Sequence, residues 1–216
     1  MKPITELKNI HAEHDIYVVA SGASSGYVEQ SFFNNKITIG VNEVWQRFNN
    51  IDYLIHKEDH LSDKLETAAK QFGFKTIVSR YRCGTHSFGY NKDKADYYFD
   101  HPENKLTDID LSVVGSDVIV VSYSTITSAI HVAAYMGAAN IIIIGHDCGV
   151  LDGKQNYNGY PEPVHPDGRK FYRKWLTEIE PQTIALRERL KEVYGCNVYS
   201  LNPFINFGLE GHTYER

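Results

Sequence analysis

The sequence predicts an α/β fold, a Rossmann-like doubly wound and mostly parallel sheet forming one domain over 1–216. Two observations carry this. Short apolar, β-branched runs alternate with stretches of helical spacing, the pattern of repeated βα units. The runs also break at Gly, Ser, Asn or His-Asp, residue types that suit loops joining a strand to a helix.

Asp15-Ile16-Tyr17-Val18-Val19-Ala20 is the first such run, and it stops at Ser21-Gly22-Ala23-Ser24-Ser25-Gly26. A helical stretch is expected around 27–33, then a strand over 36–41 ending at Asn42 and another over 52–56. Leu61, Leu65, Ala68, Ala69 and Phe72 at helical spacing predict a helix over 60–72, followed by a strand over 75–79. Residues 81–112, rich in Tyr, Gly, Asn and Asp, read as an irregular insertion or lid. A strand over 117–121, an apolar helix over 125–136 closed by Gly137, and the buried strand Asn140-Ile141-Ile142-Ile143-Ile144-Gly145 make one more βαβ unit. A polar flap over 146–168, a long helix over 169–194 that Pro181 interrupts or kinks, and a last strand over 196–201 complete the chain.

Composition narrows the function. The 216 residues carry 22 Lys and Arg against 27 Asp and Glu, a net charge of -5, so no basic field awaits a nucleic acid. No apolar run approaches the roughly 20 residues of a membrane helix, and Met1 to Glu6 lacks the start of a signal peptide, so the protein is expected to be cytoplasmic with no transmembrane segment. Cys83, Cys148 and Cys196 are odd in number and lie far apart, which points away from a disulfide framework or zinc ribbon.

In open parallel sheets, ligands bind beyond the carboxyl ends of the strands. Those ends hold Ser21, Gly22, Ala23 and Ser24, then Asn42, His56 and Lys57, Ser122 to Ser128, His146 and Asp147, and Asn202. This rim is polar and nearly free of carboxylates, as suits an anionic small molecule held by N–H and hydroxyl donors. The glycine loop matches neither GxGxxG nor GxxxxGK[ST], and a Ser-capped turn explains it as well as a phosphate cradle does. Asn42 can pair with a ribose or base edge or cap a helix. Ser124, Thr127 and Ser128 can hold a carboxylate or phosphate, or cap the helix they open. In the flap, His165 can take a proton from a substrate hydroxyl, while Tyr157 and Tyr160 can donate to a departing phosphate oxygen. Asp108-Ile109-Asp110 is a DxD in the irregular stretch, where a solvated turn accounts for it. Arg80 and Arg82 flank Tyr81 and read as surface arginines.

The order of these motifs resembles the bacterial sialyltransferases of glycosyltransferase family 42. The resemblance lies in the small-residue loop after the first strand, the strand ending in Asn42, Thr127-Ser128-Ala129-Ile130 before an Ala-rich helix, Gly137 to Asp147, and the terminal Val198 to Pro203. The chain is also similar to the related superfamily of motility-accessory-factor-like glycosyltransferases and 6-hydroxymethylpterin diphosphokinase-like proteins. The sialyltransferase resemblance implies a CMP-sialic-acid-like donor, inverting transfer to a glycan hydroxyl, and no required cofactor or metal. It places Ser21 and Gly22 by the nucleotide phosphate, Asn42 by the cytidine monophosphate, and Thr127 and Ser128 by the donor and its carboxylate. Tyr157 and Tyr160 would steady the leaving phosphate, with His165 as base. The family's Asn-Gly-Pro-Ser is here Ser21-Gly22-Ala23-Ser24. The alternatives are a pyrophosphoryl transferase of the pterin type, which needs ATP and Mg2+ held by carboxylates such as Asp147 and Asp152, and a nucleotide-binding module without turnover. Whether the chain forms a homo-oligomer stays open.

Overall fold

A computed structural model describes residues 1–57, 62–79, 95–102, 109–122, 124–149, 151, 154–160 and 168–201, with the backbone alone at 62 and 168–177. Eight strands form one sheet: β1 (Lys2–Pro3), β2 (Asp15–Val19), β3 (Ile37–Val41), β4 (Tyr53–His56), β5 (Lys75–Ser79), β6 (Tyr97–Phe99), β7 (Asn140–Ile144) and β8 (Asn197–Ser200). Their order is β1-β6-β5-β4-β3-β2-β7-β8, and every pairing is parallel. The chain therefore steps outward from β2 to β6 and returns to β7 on the other side of β2. That reversal makes the carboxyl ends of β2 and β7 the switch point of the sheet.

Both faces are covered, which is why the strands read as apolar throughout. Alternate residues of one strand serve opposite layers: Ile16 and Val18 join a cluster with Ile126, Ile130, Leu186 and Leu190, whereas Tyr17 and Val19 join Phe33, Phe48, Leu65 and Ala68. The first layer is built from α2 (Thr125–Tyr135) and α3 (Gly168–Tyr194), the second from α1 (Ser62–Phe72) and short 3₁₀ turns. Pro181 lies within α3, which continues to Tyr194. Gly137, with φ of +91°, closes α2 as expected. The carbonyls of Tyr135, Met136 and Gly137 accept from the N–H groups of Asn9, His11 and Glu13, so the N-terminal segment completes this helix end.

Three stretches differ from the sequence reading. Tyr97–Phe99, inside the supposed insertion, is a strand of the sheet between β1 and β5. The helix expected at 27–33 is instead two 3₁₀ turns, Ala23–Tyr27 and Gln30–Phe33. Arg47 Nη2 donates to the carbonyls of Gly26 and Val28, acceptors an α-helix would need for itself. The strand expected at 117–121 reduces to one bridge, Val118 with Asp100, although Ile119, Val120 and Val121 are fully buried. Ile119 N–H donates to Asp100 O at 2.8 Å, and beyond that bridge side chains of α2 satisfy Val120: its N–H donates to His131 Nδ1 at 3.1 Å, and Ser128 Oγ donates to Val120 O at 2.8 Å.

At the amino edge of the sheet, register is fixed by a repeated clamp. Thr38 N–H and Oγ1 both donate to Asp52, and Asp52 N–H donates back to Thr38 Oγ1, each at 2.8 Å. Thr76 and Asp96 repeat the arrangement two strands further on, between β5 and the start of β6. Thr38 is fully buried, so Thr38→Val should lower stability by about 1–3 kcal/mol while leaving ligand binding at the opposite edge unchanged. Urea unfolding and ligand titration of the same variant check both halves of this expectation.

Candidate functional site

The switch point is closed by a tight contact between the ends of β2 and β7. Gly22 N–H donates to Gly145 O at 2.8 Å, and a Cβ on Gly22 would stand 2.3 Å from that oxygen. A Cβ on Gly145 would stand 2.3 Å from Ala20 O, and its φ of +70° also favours glycine. Asp147 completes the contact: Ser24 N–H donates to its Oδ2 at 2.8 Å, and Ser24 Oγ makes a short hydrogen bond to Oδ1. Both groups are buried. Ala23 lies in the same knot, its N–H donating to Gln155 O at 3.1 Å. The glycines of this loop thus allow backbone to meet backbone, and Asp147 caps the turn that follows.

The first part of the flap is fastened to the same loop. Tyr157 N–H donates to Ser21 O at 3.0 Å, Gly22 and Asn156 form a β-bridge, and Ser21 Oγ donates to Asn156 Oδ1 at 2.9 Å. This brings Tyr157 beside Phe48 and Tyr160, in edge-on ring contacts of 6.5 and 5.3 Å between centroids. Arg47 stands over the Phe48 ring at 5.1 Å and the Tyr157 ring at 5.7 Å. The Tyr157 hydroxyl is buried with no hydrogen-bond partner among the described residues, and the Nε of Arg47 is likewise unpaired. Burial pushes the phenol up to about 12, Arg47 pulls the other way, and Glu43 adds to the rise. Tyr157 therefore holds its proton at neutral pH as an uncommitted donor.

Next along the rim, β3 runs into Asn42, whose φ is +54° and whose N–H donates to Ile55 O at 2.9 Å. Asn tolerates this left-handed backbone better than most residues. Its side-chain oxygen is buried without a partner among the described residues, and the neighbouring 3₁₀ turn Val44–Gln46 has Glu43, not Asn42, at its cap position. Ser21 and Asn42 both keep part of their surface exposed.

The remaining predicted groups divide. Lys57 Nζ, buried, donates to Ser122 O at 2.8 Å and fixes the start of α2 at the carboxyl end of β4. Thr127 and Ser128 are fully buried there: Thr127 Oγ1 lies 2.8 Å from both Ser122 Oγ and Ser124 O, and Ser128 Oγ donates to Val120 O. These hydroxyls are occupied inside the fold and hold the helix start, whereas Ser124 is partly exposed and forms no side-chain cap. Asp110 accepts from Ser112 N–H and Oγ, which takes up this member of the DxD in a local turn. His165, Asp152, Asn202, Arg80, Arg82 and Asp108 lie outside the described residues. Burial pushes the Cys148 thiol well above its ordinary range, so it is not poised as a nucleophile.

Sequence reading missed Arg47, Asn156 and Glu43. Nothing in their local pattern marks them, because their roles come from partners 19 to 135 positions away in the chain.

No protein-family model matches the sequence, and no curated protein matches it. Among solved structures, the chain is similar to an α-2,3-sialyltransferase from Campylobacter jejuni in its apo form, at 13% identity and a TM-score of 0.49, covering 88% of this chain and 75% of that one. At that identity and score the likeness carries no inference about what this chain does.

Two histidines behind the rim are held neutral. His146 Nε2 lies 2.8 Å from Thr183 Oγ1, whose own proton goes to Ile179 O, so Nε2 carries the hydrogen. Burial lowers His146 and His131 each to about 3. An imidazole whose folded value lies below its unfolded value of about 6.5 takes up its proton more readily when unfolded, so stability falls as pH drops through 6.5 towards 3. Each residue contributes a slope approaching about 1.4 kcal/mol per pH unit well inside that window. Urea midpoints should therefore fall between pH 7.5 and pH 4.5, and equal midpoints would contradict the neutral assignment.

Proposed function

We propose that this protein is a glycosyltransferase that moves a sugar from a nucleotide-activated donor, of the CMP-sialic-acid type, to a glycan hydroxyl with inversion. The observation that carries the reading is the pair of uncommitted polar groups at the carboxyl edge: the Asn42 amide oxygen and the Tyr157 hydroxyl, each without a partner among the described residues. Leaving a buried polar group unsatisfied costs about 1–3 kcal/mol, and a bound ligand would recover that. Ser21 at the end of β2 and Ser124 at the start of α2 add hydroxyls on the same edge of the sheet, and the motif order resembling family 42 supports the choice of donor.

In this reading the acceptor oxygen attacks the anomeric carbon as the bond from that carbon to the phosphate oxygen breaks. The electron pair leaves with the nucleotide, and the acceptor proton passes to a base, the role that the resemblance gives to His165. Tyr157, buried and protonated, donates to the departing phosphate oxygen, and Tyr160 packs its ring edge-on. Lys57, Thr127 and Ser128 position the start of α2 and touch no substrate. The pyrophosphoryl-transfer alternative is disfavoured by Asp147, whose two oxygens already accept from Ser24 and are poorly placed to hold Mg2+.

Thermal-shift measurements without added metal should rank CMP and CDP above ATP. Stabilisation by ATP that needs magnesium would move the assignment to the kinase type. Tyr157→Phe removes an unpaired hydroxyl, so it should leave the unfolding midpoint unchanged or slightly higher while reducing donor turnover about 10- to 100-fold. His165→Ala should abolish turnover and preserve nucleotide binding; undiminished turnover in either variant removes that residue from its role.

A further inference from the structure

We infer that Arg47 is a positioning residue for the transfer step, holding the Tyr157 phenol on the departing phosphate and acting on the reaction only through that phenol; the inference rests on the nucleotide-sugar reading and extends it to a residue that touches no substrate. The Tyr157 hydroxyl makes no hydrogen bond among the described residues, so no bond at the tip of the ring fixes its direction. At the root, Tyr157 N–H is tied to Ser21 O, which fixes the main chain and leaves the side-chain torsions to packing. Phe48 and Tyr160 meet the ring edge-on, and Arg47 is the cation that stands over it, with Cζ 5.7 Å from the ring centre.

Arg47 is itself fixed. It follows the turn Val44–Gln46, and its N–H donates to Val44 O at 3.0 Å. Nη2 donates to Gly26 O at 2.8 Å and Val28 O at 3.1 Å, so one nitrogen bridges two carbonyls of the loop that follows β2 while the guanidinium also covers Phe48 and Tyr157. The segment it grips lies against the root of the same tyrosine: a Cβ on Gly26 would stand 3.5 Å from Tyr157 Cβ. Arg47 thus ties the ring of Tyr157 and the backbone beside its root into one unit. A planar, delocalised cation bonds through its edge and packs through its face at once, which an ammonium does not do. Among the described residues no carboxylate forms an ion pair with Arg47. Its charge is therefore left to act on the phenol, where it opposes the upward push of burial and makes the hydroxyl a better donor to an anionic oxygen.

A double-mutant cycle tests this, read as kcat for a CMP-sugar donor and as CMP affinity by calorimetry on the full chain. Arg47→Met keeps the apolar stem and removes plane and charge, so it should lower kcat about three- to thirtyfold and leave donor KM and CMP Kd within about twofold. In the Tyr157→Phe background the same substitution should cost less than about twofold in kcat, because the hydroxyl through which Arg47 acts is gone. Arg47→Lys keeps a donor for the Gly26 and Val28 carbonyls and carries the cycle if thermal unfolding shows that the methionine variant does not fold. It should lose at least about threefold in kcat, and again less than about twofold beside Tyr157→Phe. An equal fold-loss in both backgrounds, a loss confined to CMP affinity, or wild-type kcat in both Arg47 variants overturns the role of Arg47. A wild-type protein that neither binds CMP nor turns over any CMP-sugar overturns the nucleotide-sugar reading, and the inference with it.

Discussion

The rim of this protein depends on the contact where the ends of β2 and β7 meet without side chains between them. The sheet reverses its winding between β2 and β7, and there the backbones of Gly22 and Gly145 touch directly. A Cβ at either residue would lie 2.3 Å from a carbonyl oxygen of the other strand's end. Asp147 then locks the arrangement from the β7 side by accepting from two groups of Ser24. The carboxylate receives a backbone N–H and a hydroxyl together, and so holds the turn as well as the contact.

This lock has a consequence for where a ligand can sit. Residues 155–157 zip onto residues 21–23, so the glycine loop is covered by the protein's own chain, and Ser24 faces Asp147. The uncommitted groups lie one strand further along, at the end of β3 and on the Tyr157 ring that the zipper delivers there. Arg47 ties these parts together by bonding Gly26 and Val28 while covering the faces of Phe48 and Tyr157.

Much of the fold was legible in the sequence, because doubly covered strands such as Ile141 to Ile144 are apolar at every position. β6 escaped notice: Tyr97-Tyr98-Phe99 lacks β-branched residues and sits in an Asp- and Tyr-rich stretch. At 117–121 the apolar run was real and buried, but side chains of α2 supplied the hydrogen bonds that a strand would have made, and no local pattern encodes that substitution. For the site, the strand-end rule put Ser21, Asn42 and Asp147 on one rim, and Tyr157 came from the flap that the structure fastens to Ser21. It did not distinguish hydroxyls turned inward, as at Thr127 and Ser128, from groups left without partners, since that depends on which distant residue reaches each one.

Crystals grown or soaked with CMP test most directly whether the carboxyl edge between β2 and β3 holds a nucleotide. Nucleotide density is expected against Ser21 and Asn42, with the phosphate directed towards the Tyr157 hydroxyl. Well-ordered nucleotide elsewhere on the molecule, with that edge unchanged, would contradict the proposed function.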